Sequence, residues 1–341
     1  MKKIETFILL AIVAALLSAC QSQGGPFNAP PAGSYSGVVL VTETGALAGP
    51  TVEMVNELQH ELDFYTKNEL EFKVHVVPVS QFDKEIPAKN MVIFGIVNQG
   101  GLGDVIEQFI GPSGVRGVLE GKYGIFKKMD SPVKGQLTVI VTAVSDDALT
   151  RLAHEEGAVI RGIIEDGDRE RIRASLLKQG ENVALERTLR ERYGFSLRIP
   201  SMYALDAEKP EIPGISLLRQ EPPRVVSISW REFNEEAVTL ADSNELYQMR
   251  ADVSFKLFDK YVMRRTLVKF STTQLGPYPA VRMDGYWESS LEPAGGAFVC
   301  FFVADRVRSR LWMVDCLVYA PGKDKNEYLR EAISVAETFS L

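Results

Sequence analysis

The chain has 341 residues, is 45% hydrophobic and 24% charged, and carries a formal net charge of −7. These fractions exclude disorder, collagen and coiled coil as descriptions of the whole. The acidic balance argues against nucleic acid, whose phosphates call for a basic excess. The 3 histidines and 3 cysteines are scattered, which leaves little material for a transition-metal site, and the length suits two domains.

Met1-Lys2-Lys3 is a short basic start, and residues 6–17 (TFILLAIVAALL) are uncharged and almost wholly apolar. At about 1.5 Å per residue this stretch is too short to cross a hydrocarbon core of about 30 Å, but it suits the apolar region of a secretory signal. Leu17-Ser18-Ala19-Cys20 follows and resembles the lipobox of bacterial lipoproteins. That resemblance implies diacylglyceryl transfer to Cys20, cleavage after Ala19 and acylation of the new terminus. Two or three acyl chains give stable anchoring. Residues 1–19 are then a signal peptide. Residues 20–35, rich in Gln, Gly, Pro, Ser and Ala, are the lipidated cysteine and a flexible tether. Gln21 after the cysteine implies, by the same resemblance, the outer membrane, with the folded part facing the periplasm.

Residues 36–42 (SGVVLVT) predict a buried strand. Pro50-Thr51 opens a helix with Thr51 as N-cap, and Val55, Leu58, Leu62 and Tyr65 recur at helical spacing along one face. Residues 70–79 alternate apolar and polar, a half-buried strand, and residues 91–97 (MVIFGIV) are a second buried one. A short helix over 102–110 and strands over 123–126 and 137–142 follow. Ser145 begins a long helical stretch whose charged run EDGDRERIR reads as a solvated face with i,i+3 and i,i+4 pairs. Residues 182–192 continue as helix, and Gly194 is placed to stop it.

The domain boundary falls near Gly194, giving an α/β domain over 36–193 and an α+β domain over 194–341. In the second, strands are predicted at 195–199, 215–218 and 225–230, and a helix at 244–259 with Leu246, Val253 and Leu257 as its apolar stripe. Strands at 266–270, 281–287, 298–303 and 311–319 form an antiparallel meander. Asp324 caps a final helix that buries Tyr328, Leu329, Ala332, Ile333, Ala336 and Phe339. The fold class is therefore α+β: two α/β layer domains, the second a largely antiparallel sheet packed with helices.

Several segments together resemble one family: GQLTVIVTA, EDGDRERIR, GFSLRIPSMY, VVSISWRE, DGYWESS with GGAF behind it, and DCLVYAPGKDKNEYLREAISVAETF. Their order is similar to the bacterial envelope lipoproteins catalogued as domain of unknown function 4837, most strongly from Gly194 to Phe339. The second half, with its opening F-x-L-x-I-P-x-x-Y, also resembles extracytoplasmic domains of the PsbP and LpqN kind. These resemblances imply a location and a fold, and they carry no chemistry.

The motifs that would carry chemistry are incomplete. His154-Glu155-Glu156-Gly157 lacks the second histidine of a zinc helix, and His60, His75 and His154 read as surface residues. Gly100-Gly101-Leu102-Gly103 follows a strand and opens a helix, as phosphate cradles do, but without the spacing or the lysine of a nucleotide site. Gly111-Pro112-Ser113-Gly114 is not a nucleophile elbow. Arg264, Arg265, Arg282, Arg306, Arg308 and Arg310 read as exposed turn arginines, with a basic patch for an anionic ligand as the sharper alternative. Trp230, Tyr286, Trp287 and Trp312 read as core. No catalytic, cofactor-binding or metal residue is assigned, and no cofactor.

Cys300 and Cys316 remain in a compartment where disulfides persist. A hairpin centred on Arg308 sets them opposite each other, whereas a one-residue shift forbids the bond, and the sequence leaves both registers open. The reading is a lipid-anchored, periplasm-facing accessory or binding protein without catalysis. It meets the membrane through the lipid on Cys20 and acts on an envelope protein or ligand, not nucleic acid. The alternative is an envelope hydrolase acting on cell-wall or glycan material.

Overall fold

The computed structural model describes residues 31–62, 69–209, 212–233, 242–258 and 260–341. Residues 1–19, expected to be a signal peptide, and Cys20, Gln21 and Tyr65 lie outside the described residues. Two compact units emerge. The first comprises the chain to Leu58 together with Phe72–Ile164, and the second Gln59–Glu71 with Glu165–Leu341.

In the first unit a five-stranded sheet runs in the order β2-β1-β3-β5-β4. Its strands are β1 (Gly37–Thr42), β2 (Lys73–Pro78), β3 (Asn90–Ile96), β4 (Ile125–Met129) and β5 (Leu137–Ala143). All pairings are parallel except that of β4 with β5. Parallel strands buried on both faces read as continuous apolar runs, and β3 and β5 are buried along almost their whole length. One face packs under α1 (Pro50–Leu58) and the first half of α4 (Asp146–Lys178), through Met54, Leu58, Leu149, Ala153 and Ile160. The other packs under α3 (Gly100–Leu119), through Leu102, Ile106 and Ile110. The short α2 (Phe82–Glu85) lies between β2 and β3 in the chain.

The sequence places α1 correctly but not its ends. The helix begins at Pro50, so Thr51 sits inside it, and it stops at Leu58, while Glu61 pairs with Leu70 in an isolated bridge. Gly111, at φ 67°, breaks α3, and the second stretch restarts at Pro112, where a missing N–H costs nothing.

The second unit carries an eight-stranded sheet in the order β10-β11-β12-β13-β8-β7-β6, with β9 paired to β11. These are β6 (Ala204–Glu208), β7 (Gly214–Arg219), β8 (Arg224–Glu232), β9 (Tyr261–Met263), β10 (Lys269–Leu275), β11 (Tyr278–Ser289), β12 (Gly295–Asp305) and β13 (Arg310–Val318). Every pairing is antiparallel, as the predicted meander requires. The helices of this unit are the second half of α4, α5 (Val183–Tyr193), α6 (Ser243–Leu257) and α7 (Asn326–Ala336). Gly194, at φ 79°, stops α5 as expected, and the Asn182 side chain caps its start. Residues 195–199 form no strand; only Ser196 bridges, to Ser340.

The division between units falls inside α4, between Ile164 and Glu165, not near Gly194. The cause lies in the charged run. Asp166 and Glu170 are exposed, as a solvated face requires, but the other side of the run is not solvated: fully buried Asp168 lies against Arg330 of α7 (3.1 Å) and Arg171 (2.5 Å). Arg169 bridges Glu165 (3.2 Å) and Glu337 (2.8 Å). Burial alone would raise Glu165, but Arg169 and Arg330 hold its carboxyl below the usual range. Burial wins at Glu337, which is raised despite Arg169 and Arg173. The N-terminus of α7 is closed by a distant carboxylate rather than by Asp324: Glu69 accepts from the backbone N–H of Lys325 (2.7 Å) and Asn326 (3.2 Å) and pairs with the Lys325 ammonium at 3.1 Å.

The β12–β13 hairpin settles the cysteine register. Asp305 pairs with Arg310 across the turn, and its carboxylate accepts from the N–H groups of Val307 and Arg308 at 3.1 Å each, while Ser309 takes φ 51°. The centre therefore lies between Val307 and Arg308, not on Arg308. Cys300 opposes Asp315 and Cys316 opposes Val299, so the two thiols point to opposite faces. Both are free and buried, and the disulfide does not form. Cys316 lies on the face bearing Trp312, whose ring sits 5.7 Å from that of Phe339 and 5.5 Å from that of Phe195. Among the described residues, no helix is long and apolar enough to cross a membrane.

Candidate functional site

The strand order of the first sheet reverses between β1 and β3: the chain leaves β1 toward β2 on one side and returns as β3 on the other. Where such a reversal occurs, loops diverge at the carboxyl ends of the strands and leave a crevice. A cleft of about 400 Å³ opens there, lined by the ends of β1 and β3 and the starts of α1, α3 and α4. Its walls carry Thr42, Thr44, Thr51 and Gln99 among apolar Ala46, Ala48, Phe94 and Leu149, with Glu43 and Asp146 as its carboxylates.

Glu43 decides what this cleft can hold. Its carboxylate accepts from the backbone N–H of Gly101 (3.1 Å) and Leu102 (2.8 Å), filling the positive end of α3 that a phosphate would otherwise seek. Gly100 makes this fit: its φ is +66°, and a Cβ there would meet the Glu43 carboxylate at 2.6 Å. The glycine turn that the sequence singled out is thus a cradle for the chain's own carboxylate. Thr42 Oγ1 accepts from the N–H of Gly45 at 2.9 Å, shaping the β1 loop, and Ser145 Oγ accepts from Ala148 N–H at 3.3 Å at the start of α4. What the cleft presents to a ligand is hydroxyl, amide and apolar surface, in a setting whose charge is acidic and partly compensated. Nothing in the sequence reported this placement, because Glu43 and Gly101 meet only once β1 and β3 are side by side.

The other candidates resolve individually. His60 and His75 are exposed, as expected. His154 has a partner the sequence could not supply: its Nδ1 lies 2.8 Å from Glu53 on α1, and that hydrogen bond raises its pKa above the usual 6.5. Glu53, Glu57 and His154 bring ligand-type atoms within 4.8 Å of one another. Arg161, however, takes Glu57 at 2.7 Å, so the group forms two ion pairs, with Glu53 held by the imidazole.

Of the six arginines, Arg306 is exposed and the other five have partners of their own. Arg264 pairs with Glu288 (2.9 Å), Arg282 with Asp284 (2.7 Å) and Arg308 with Asp305 (3.0 Å). Arg265 bonds Asn244 at 3.0 Å, and Arg310 lies over the rings of Trp230 and Trp312. Trp287 and Trp312 are core, while Trp230 and Tyr286 are half-buried. Burial, and then the Asp315 charge, pushes both the Cys300 and Cys316 thiols well above their usual pKa, which removes them as nucleophiles.

Residues 182–338 match the family model described as Domain of unknown function (DUF4837), so the second half of the chain carries a DUF4837-like domain. Among curated proteins none matches the chain. A crystal structure from Bacteroides thetaiotaomicron VPI-5482 is similar at 13% identity over 43% of this chain, with a TM-score of 0.29, and the match spans only 44% of that protein. LpqN, described as involved in cell envelope biogenesis of Mycobacterium tuberculosis, is similar at 15% identity over 43% of this chain and 83% of its own, with a TM-score of 0.29. The Ran-binding protein Mog1p of Saccharomyces cerevisiae is similar at 9% identity over 43% and 91%, with a TM-score of 0.30. Identities and scores this low transfer neither ligand nor partner.

Proposed function

We propose that this chain is an envelope lipoprotein, anchored through Cys20 and facing the periplasm from the outer membrane, that binds a ligand or partner without transforming it. The lipobox Leu17-Ser18-Ala19-Cys20 supports the anchor. The binding reading rests on one observation: the α3 N-terminus at the sheet crevice is already occupied by Glu43. The cleft is thereby turned away from phosphate and nucleotide, and toward a small uncharged polar molecule met by Thr44, Gln99 and the apolar wall. The exposed carboxyl edge of a parallel sheet is where α/β layers place ligands.

Two measurements test the two parts. A fatty-acid probe fed to cells is expected to label the wild type and not Cys20→Ala; equal labelling removes the anchor. For the cleft, a photo-cross-linking residue at Gln99 is expected to capture a discrete adduct in intact cells, and Ala48→Trp, which fills the cleft, to abolish it. Identical adducts from both proteins refute the cleft as the binding place. Turnover of purified cell-wall material by the wild type would replace binding with hydrolysis.

A further inference from the structure

The second unit encloses polar side chains that its own atoms leave unmet, in a place unrelated to the cleft. Helix α6 covers the sheet face that carries Met283, Phe298, Cys300 and Met313. A single register row crosses that face: Ser216 on β7 opposes Ser227 on β8, Ser227 opposes Asp315 on β13, and Asp315 opposes Cys300 on β12. Ser229 lies two residues further along β8, opposite Gly214. The covering helix contributes Arg250 and, one turn later, Ser254. Ser216, Ser227, Ser229, Arg250 and Asp315 are 0% exposed and Ser254 is 1% exposed.

The Arg250 guanidinium lies 3.3 Å from the Phe298 ring centroid, and its Nε donates to Asp315 Oδ1 at 3.1 Å. Nη2 is 2.9 Å from Oδ2, but the contact is too poorly aligned for a hydrogen bond. Arg250 Nη1 and Nη2, Asp315 Oδ2 and the hydroxyls of Ser227, Ser229 and Ser254 are all left without a hydrogen-bond partner.

Each unmet buried polar group opposes folding, and native interiors keep few of them. A concentration between one helix and two or three strands therefore marks a place that something else completes. The side chains around it are small and polar (Ser216, Ser227, Ser229, Ser254), the setting in which buried guests are found. The chemistry narrows the guest. Guanidinium nitrogens only donate, an ionised carboxylate only accepts, and hydroxyls do both. An anion would meet Asp315 Oδ2 and a cation would meet the guanidinium, whereas a neutral O–H group donates to the one and accepts from the other.

We propose that the layer between α6 and strands β7, β8 and β13 is a closed site for small uncharged hydroxylic molecules, held by the free sides of the Arg250–Asp315 pair and the hydroxyls of Ser227, Ser229 and Ser254. Solvent water and a small polyol share this chemistry, and the test separates them.

The full chain carrying Cys20→Ala is unfolded in urea as such and with Ser227→Ala, Ser229→Ala and both. If the hydroxyls are bonded to a guest, each alanine lowers the folding constant by about 2- to 10-fold. An unchanged or raised constant overturns the proposal, since deleting an unmet hydroxyl relieves a cost. Should either strand variant fail to fold, Ser254→Ala on α6 gives the same reading. Oxygen-17 relaxation dispersion of water then names the source. Loss of long-lived water in the double variant assigns water. Unchanged dispersion, with glycerol raising the folding constant of the parent more than that of the double variant, assigns a polyol. Neither response overturns the site.

Discussion

Glu331 on α7 is the point where one carboxylate holds the β7–β8 turn to the covering helix. It accepts from Arg224 Nε (2.7 Å) and Nη2 (2.8 Å), from Arg219 Nη1 (2.8 Å) and from the Tyr203 hydroxyl (3.0 Å). The side chains of Arg224 and Glu331 are 3% and 13% exposed. Glu331→Gln keeps the shape and removes the charge, stranding a buried guanidinium. Breaking one side of a buried pair costs roughly 3–5 kcal/mol; the remaining solvent contact of Glu331 puts the expectation near the low end, about 3 kcal/mol. At roughly 2–4 °C per kcal/mol for a unit of this size, the melting point should fall by about 6–12 °C. Tyr203→Phe removes one hydrogen bond and should cost only about 1 kcal/mol. The assay is urea unfolding followed by tryptophan fluorescence. All 3 tryptophans, Trp230, Trp287 and Trp312, lie in the second unit, so the signal reports that unit alone. A Glu331→Gln variant within about 1 kcal/mol of wild type, or a larger loss from Tyr203→Phe, would refute the assignment of Glu331 as the partner of a buried charge.

Three further outcomes are expected. With Cys20 replaced by alanine, alkylation in denaturant without reductant should add two groups, at Cys300 and Cys316, whereas the folded protein should take none in the same time; a mass corresponding to a disulfide contradicts the register. Burial alone would raise Asp305, but hydrogen bonds from Arg308 and Trp312 hold its carboxyl below the usual range. Its contribution is therefore fully present above the unfolded value of about 4 and lost as pH falls through the lower folded value, so the stability gap between wild type and Asp305→Asn should hold at neutral pH and narrow only as pH falls below about 4; a gap constant with pH counts against the turn geometry. Glu53→Gln should bring the raised His154 titration midpoint back toward the ordinary value by NMR, and an unmoved midpoint would show that the ion pair does not persist in solution.

Local pattern determined much of this protein. The apolar runs of β3 and β5, the meander from β10 to β13, the glycine that stops α5 and the apolar face of α7 are set by neighbours within a few residues, where periodicity and capping act. The resemblance of Leu17-Ser18-Ala19-Cys20 to a lipobox, on which the proposed anchor rests, is legible for the same reason, being four consecutive residues. Other features depended on contacts between distant segments. Asp168 reads as surface in any window of its own helix, and becomes interior because Arg330 arrives from α7. The α7 N-terminus reads as capped by its neighbour Asp324, whereas Glu69 reaches it from afar, and the α3 N-terminus follows a glycine turn of the kind that cradles phosphate until Glu43 fills it. The two cysteines were separated by the geometry of one turn: Asp305 fixes its centre half a residue from the symmetric choice, and a strand's two-residue period converts that shift into opposite faces of the sheet. Charge pairing and strand register are long-range and discrete, so composition and periodicity leave them open, and only the packed chain selects among the alternatives.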